Sequence, residues 1–335
     1  MTADRPDSWP DEERCARVLH EHHGLEISAL EPLPAGLDSD ARVLKVTTRR
    51  GSPWFLKLRR RWSDARLRLA WHLHHREGVR EVSAPMSSLS GELAPRAEDV
   101  AWTLYPFIDA PSGLERPPAP EHWKRLGQAL RRIHEARLPP ELHAALPEPD
   151  APPLAAARAR HEALLSGALT TEATQSLVDA WTRHAGRIAT VLQRAAVLAG
   201  NARGAGEQTV PCHADLHAGN LLVGDDALTV VDWDSATRGP REVDLMFIGA
   251  GVGGIGTRDE EVAAFKTGYG DVAVDPRRLC ACRHERIVVD LLELSDLLLG
   301  EGGDASERAR WLGDFTAQFD EDNVVARAEQ SWATL

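Results

Sequence analysis

Two short apolar runs, Leu221-Leu222-Val223 and Leu228-Thr229-Val230-Val231, stand on either side of Gly224-Asp225-Asp226. Apolar runs of this length around a Gly/Asp turn predict a β-hairpin, because the turn residues accept the backbone angles that reverse a chain. The polar residues are placed unusually. His213-Ala-Asp215-Leu-His217-Ala-Gly-Asn220 leads into the first strand, and Asp232-Trp-Asp234 follows the second. A hairpin with acids and an amide gathered at its open end holds those groups in fixed register, and the rest of the chain must form the scaffold around it.

At 335 residues the chain exceeds the usual single core of roughly 100–200 residues. Two lobes sharing a cleft are therefore expected, and such a cleft is a natural ligand site. A helical pattern from Asp11 to Leu25 ends at Gly24, and strand-like runs follow at 43–46 and 54–58. Helical spacing returns over 63–77, and Ala101-Trp102-Thr103-Leu104-Tyr105 reads as another strand before Pro106. Beyond Glu121 the chain is mainly helical, with expected helices at 154–166, 171–199, 258–268, 276–299 and 304–319 and a Pro-rich loop over 139–153. The expected boundary lies near residue 109. The fold class is then α+β and bilobal, with a small antiparallel-sheet lobe over 1–108 and a mainly helical lobe over 109–335.

The formal net charge of −12 argues against general nucleic-acid binding, which leaves a basic footprint. Any anionic ligand must be met by local Lys side chains, backbone N–H groups or metal. Four cysteines without a disulfide-like spacing read as reduced thiols. No segment approaches the roughly 20 apolar residues needed to cross a bilayer, and no leader-like run follows the amino terminus. A cytoplasmic protein with no membrane contact, no nucleic-acid partner and no obligate protein partner is expected.

Asp215, Asn220 five residues later and Asp232 twelve further on form a set that phosphoryl transfer requires. One carboxylate orients the attacking hydroxyl, while an amide oxygen and a second carboxylate hold Mg²⁺ against the phosphates of ATP. Asp215 fits the first role, and Asn220 and Asp232 the second. A polar hairpin loop would explain Asp215 and Asn220 alone, but would not supply Asp232 at the matching distance. A zinc-hydrolase cluster of His213, Asp215 and His217 would leave Asn220, Asp232 and Lys57 without roles. A non-catalytic nucleotide-binding module would be favoured by a missing Lys, Asp or Asn, and all are present.

The pattern His213-x-Asp215-x-x-x-x-Asn220, with Val231-Asp232-Trp233-Asp234 after it, resembles the aminoglycoside phosphotransferase family. The segments 241–253 and Arg283-His-Glu-Arg-Ile-Val look closest to its spectinomycin-phosphorylating branch, and the resemblance runs from about Lys57 to Asn323. It implies a protein-kinase-like fold in which ATP and Mg²⁺ serve transfer to a hydroxyl of a cationic aminocyclitol, most closely spectinomycin, for resistance or self-protection. Another aminoglycoside, a biosynthetic aminocyclitol or a metabolic alcohol as acceptor would keep every catalytic argument.

By the same resemblance Lys57 contacts phosphates, Tyr105-Pro106-Phe107-Ile108 is the connector whose backbone binds the adenine edge, and His213 and Asp244 support the catalytic loop. The loop Leu33-Pro-Ala-Gly36-Leu-Asp-Ser39-Asp-Ala has a single glycine and would cover phosphates with Ser39 and backbone N–H groups. A kinase lysine is commonly paired with a helix acid. Here the following helix offers only Asp64 and Glu77, and neither is well placed. Asp234, Glu285 and Asp290 are candidate contacts to a cationic acceptor, against the alternative of a solvated acidic face. His134 reads as a satisfied structural histidine. The runs at 20–23 and 72–75 read as solvated surface, and the five glycines between Gly249 and Gly256 as a flexible loop near the substrate side.

Overall fold

The structure is a computed structural model that describes residues 9–33, 40–97, 99–200, 209–252, 255 and 258–335. The chain forms two compact units. One comprises Met1–Ala110, Arg137–Leu146 and Thr229–Ser235, and the other Pro111–Ala136, Pro147–Leu228 and Ala236–Leu335. Among the described residues there are twelve α-helices, and none is long and apolar enough to cross a membrane.

The first unit opens with α1 (Glu12–His23), capped at its start by Asp11, which accepts from the Arg14 amide at 2.9 Å, and ended by Gly24 in the left-handed conformation. Strands β1 (Ile27–Pro32), β2 (Ala41–Thr48), β3 (Pro53–Arg59), β4 (Arg96–Ala97) and β5 (Val100–Pro106) form an antiparallel sheet in the order β1-β2-β3-β5-β4. Helix α2 (Asp64–His75) follows β3, and the short α4 (Pro140–Ala145) also belongs here. Strand period decides what each face carries. Leu56 and Leu58 of β3 join Leu44, Val46, Trp102 and Leu104 of the sheet and Cys15, Val18 and Leu19 of α1 in one core. Phe55, Lys57 and Arg59 therefore alternate onto the opposite face, with Lys57 in register between Val43 and Thr103.

In the second unit α5 (Leu154–Leu165), α6 (Gln175–Arg183), α7 (Ala185–Leu198), α10 (Pro276–Leu299), α11 (Ala305–Ala317) and α12 (Val324–Ala333) surround a core that includes Trp181, Leu192, Ile287, Leu291, Phe315 and Val325. The long helix expected over 171–199 is broken at His184, whose backbone leaves the helical region. Its ring stacks on Phe319 at 4.1 Å, and Trp181 stacks on Phe315 at 5.4 Å. The packing of α6 and α7 thus overrides a locally continuous helical pattern. Helix α12 and α4 were not expected from the sequence, α4 lying inside the Pro-rich stretch read as loop.

Helices α3 (Pro120–His134) and α9 (Asp259–Tyr269) cross at two glycines. A Cβ on Gly268 would lie 1.9 Å from the Lys124 carbonyl oxygen, and one on Gly127 would lie 2.3 Å from that of Phe265. Only hydrogen at both positions permits this approach, and it sets Tyr269 beside His134. Strand β6 (Val210–Cys212) pairs antiparallel with β9 (Thr237–Gly239), β7 (Leu221–Val223) pairs with β8 (Leu228–Val230), and α8 (Glu242–Leu245) follows β9.

Candidate active site

Strand β6 delivers the chain to His213, and the backbone then turns sharply. Ala214 has φ of 66°, a left-handed conformation that costs a non-glycine residue roughly 1–2 kcal/mol. Asp244 of α8 holds it there. Its fully buried carboxylate accepts from the Ala214 amide at 2.7 Å on Oδ1 and from the His213 amide at 3.0 Å on Oδ2. Oδ2 also receives His134 Nε2 at 3.0 Å, and His134 Nδ1 pairs with the Tyr269 hydroxyl at 2.7 Å. Burial pushes the Tyr269 phenol upward, so the hydroxyl stays protonated beside the ring. The α3–α9 crossing is thereby connected to the loop through three side chains.

His134, Cys212 and Asp244 lie close enough together to suggest a metal site. The histidine and carboxylate are already committed to one another. The Cys212 thiol donates to the carbonyls of Pro240 and Gly239 at 3.6 and 3.8 Å, and burial pushes it far above the ordinary thiol range. This is a neutralised structural cluster, not a set of ligands.

Further along the loop, the Asp215 amide donates to His213 Nδ1 at 3.2 Å, and His217 Nδ1 accepts from the Gly219 amide at 3.0 Å, capping the 3-10 turn Ala218–Asn220. Gly113 closes the loop from the other side. Its amide contacts the carbonyls of Ala218 and Leu221 at 3.0 and 2.7 Å, and a Cβ there would meet the Ala218 oxygen at 2.6 Å. The segment Pro111-Ser112-Gly113 is therefore a buttress of the loop.

Asp215 and Asn220 meet directly. Asn220 Nδ2 donates to the Asp215 main-chain oxygen at 2.8 Å and to its Oδ2 at 3.0 Å. The amide nitrogen is thus committed to Asp215, and the amide oxygen is the atom Asn220 has to offer a cation. Asp215 Oδ1 accepts from Arg286 Nη1 at 2.7 Å, and His217 Nε2 stands 3.6 Å from Oδ2. Burial alone would raise this carboxyl, but the Arg286 guanidinium, followed by His217, outweighs it and holds the group well below the usual carboxylate range. Arg286 in turn donates from Nε to Asp290 Oδ1 at 2.7 Å and lies over the Phe247 ring, 5.6 Å from its centroid. A small apolar pocket beside it is lined by Met246, Phe247, Ala250, Ile287 and Val324.

Arg286 was not singled out from the sequence. Its signal was faint: an arginine one helical turn before Asp290 on a helix otherwise read for its acids. Of the acids proposed there, Asp290 reaches Asp215 through Arg286, whereas Glu285 adds to burial in raising the Cys282 thiol.

The remaining polar set lies in the first unit. Val230 ends β8, Asp232 has φ of 61°, and Trp233–Ser235 form a 3-10 turn whose buried indole donates to the Val230 carbonyl at 3.2 Å. This turn directs both acids at β3. Lys57 Nζ lies 3.1 Å from Asp232 Oδ1 and is also bonded to Asp234 Oδ2, which Arg59 contacts as well. Burial works against the ammonium, but the two carboxylates prevail and raise its pKa. Asp234, expected as an acceptor contact, is here a partner of two cations on β3. Pro106 closes β5, the Phe107 ring lies under Lys45 Nζ at 4.8 Å, and Ile108 is half-buried in the same segment. Ser39, three of the glycines from the 249–256 stretch and most of the phosphate-covering loop lie outside the described residues. The zinc reading finds no support. Among the described residues His213, Asp215 and His217 do not converge as a ligand group, and each histidine spends Nδ1 on a backbone amide.

Residues 29–282 match the sequence profile described as the Phosphotransferase enzyme family, and the chain belongs to that family. Its class is that of a small-molecule kinase with a kinase-like α+β fold. The chain is similar to the spectinomycin phosphotransferase APH(9)-Ia solved with ADP and spectinomycin, at 28% identity over 97% of this chain and 99% of that one, with a TM-score of 0.86. The AMP-bound complex of that enzyme gives 27% identity over the same shares and a TM-score of 0.82. An aminoglycoside phosphotransferase from Alicyclobacillus acidocaldarius shares the fold at 13% identity, covering 99% of each chain with a TM-score of 0.61. No curated protein matches the sequence at a significant level.

Proposed function

We propose that this protein transfers the γ-phosphoryl group of ATP to a hydroxyl of a cationic aminocyclitol, with spectinomycin the acceptor its similarities favour. The observation that carries the reading is the bonding of Asn220 Nδ2 to the Asp215 main-chain and carboxylate oxygens. It supports the reading because it holds the Asp215 carboxylate in place and leaves the Asn220 amide oxygen for a cation within one short loop. Phosphoryl transfer runs through a loose transition state in which positioning and charge neutralisation supply most of the catalysis. Asp215 is held ionised by Arg286. It serves as hydrogen-bond acceptor that aims the attacking hydroxyl, and it takes the proton only as the new O–P bond forms and the bond to ADP breaks.

Mg²⁺ would neutralise phosphate charge, with Asn220 Oδ1 and the Asp232 carboxylate as the hard oxygen ligands such an ion takes. Lys57 meets the phosphates, and Pro106, Phe107 and Ile108 receive the adenine. Arg286 bonds both Asp215 and Asp290 at 2.7 Å, and Glu293 adds a further acidic charge near it, a grouping of acids suited to an aminocyclitol's ammonium groups. A phosphate added to such a drug reverses local charge, which gives resistance or self-protection in the cytoplasm. The test is to incubate the protein with Mg·ATP and spectinomycin and examine the drug by mass spectrometry and ³¹P NMR. One added phosphoryl group on a drug hydroxyl is expected, and unmodified drug alongside phosphorylation of a different aminoglycoside would move the acceptor assignment.

A further inference from the structure

Resting on the kinase reading above, we propose that Asp234 is the carboxylate that positions Lys57 for the nucleotide phosphates, in the place a helix acid fills in protein kinases. A strand lysine has four rotatable bonds and about 2 kcal/mol of rotamer entropy, so aiming its ammonium needs a fixed partner. The two carboxylates expected from the following helix, of which Glu77 falls just beyond the end of α2, have other neighbours. Asp64 Oδ1 accepts from Trp62 Nε1 at 3.0 Å, and Glu77 Oε1 lies 3.5 Å from His72 Nε2. The Lys57 ammonium instead meets Asp232 and Asp234, both from one turn.

The two acids are not equivalent. The Asp232 side chain is 45% exposed, whereas that of Asp234 is 22% exposed and lies against both Lys57 and Arg59. If Asp232 turns to a cation, Lys57, with its side chain 12% exposed, still keeps a carboxylate in Asp234. A buried ammonium stripped of its partner is costly, so the second acid lets the first engage metal without releasing the lysine. Arg59, two residues on and on the same face of β3, shares the same Oδ2 of Asp234 with Lys57. The turn that carries them is anchored by the buried Trp233 and its bond to the Val230 carbonyl. One Asp-x-Asp turn thus supplies both the metal carboxylate and the lysine's holder, and no ion pair to α2 is needed for an active arrangement.

The test is ADP binding by calorimetry, without acceptor and with or without Mg²⁺, on wild type, Lys57→Ala, Asp234→Asn, Asp234→Glu and the Lys57→Ala/Asp234→Asn double variant, each checked for native melting. Asp234→Asn is expected to weaken ADP about tenfold in the wild-type background and not to weaken it where Lys57 is already alanine, the non-additivity of groups acting through one another. Asp234→Glu should recover most of the loss, and Asp64→Asn and Glu77→Gln should bind ADP as wild type does. Equal weakening in both backgrounds, a tenfold loss from either helix acid, or unchanged ADP affinity with a raised acceptor KM would overturn the proposal. These binding measurements read out even if no acceptor is ever phosphorylated, so failure here is distinct from failure of the kinase reading.

Discussion

Asparagine at position 244 is almost isosteric with aspartate but offers one acceptor oxygen where the carboxylate offers two. Three donors converge on the buried Asp244: the amides of His213 and Ala214 and the Nε2 of His134. In its better orientation the amide keeps two of them and turns its own NH₂ toward the third. The variant loses a charge-assisted bond worth about 1.5–3 kcal/mol and leaves a buried donor facing another donor, for a total of about 2–4 kcal/mol. Ala214 at φ of 66° is then less firmly held, and the loop carrying Asp215 relaxes. A thermal scan of Asp244→Asn should show the unfolding midpoint lowered by roughly 5–15 °C at about 2–4 °C per kcal/mol. Steady-state kinetics should show kcat down at least about a hundredfold with KM for ATP nearly unchanged. A midpoint within about 1 °C of wild type together with kcat within about twofold would refute the bracing role, since neither the orphaned donor nor the released turn would then have a measurable cost.

Arg286→Gln tests the charge on Asp215. A carboxyl whose folded pKa is depressed contributes stability in full above its unfolded value, about 3.9, and loses it as pH falls through the lower folded value. The variant should therefore be less stable than wild type at pH 7, with the gap narrowing below about pH 4; a gap independent of pH in urea titrations would contradict the assignment. Gly268→Ala places a Cβ 1.9 Å from the Lys124 carbonyl oxygen, so α3 and α9 must separate at a cost of about 1–3 kcal/mol. Its midpoint should fall and its kcat with it, and native stability would show that the crossing is looser than described. Asp232→Ala should weaken Mg·ADP binding more than binding of ADP in EDTA, and equal losses in both conditions would remove Asp232 from the metal set.

The parts of this molecule that were legible in the sequence are those written in local pattern. The hairpin strands fall at Leu221–Val223 and Leu228–Val230, and α10 spans Pro276–Leu299, the bounds expected for it. The Asp215–Asn220 contact was accessible for the same reason, since five residues of loop bring the two together. What was not legible depends on partners distant in the chain. His184 breaks a helix because Phe319 waits for its ring. Arg286 matters because it meets Asp215, 71 positions away, and Asp234 meets Lys57 across 177. A lone arginine or aspartate carries no mark of which distant charge it will neutralise, and the buttressing role of Gly113 shows only once a Cβ is seen to strike Ala218.

Coupled ADP release reads out phosphoryl transfer through Asp215, with Mg·ATP offered alongside spectinomycin, several aminoglycosides or no acceptor. Release is expected to depend on an aminocyclitol and to be lost in Asp215→Ala while that variant still binds ADP. Release that persists undiminished in Asp215→Ala, or no release with any acceptor from wild-type protein that binds ADP, would contradict it.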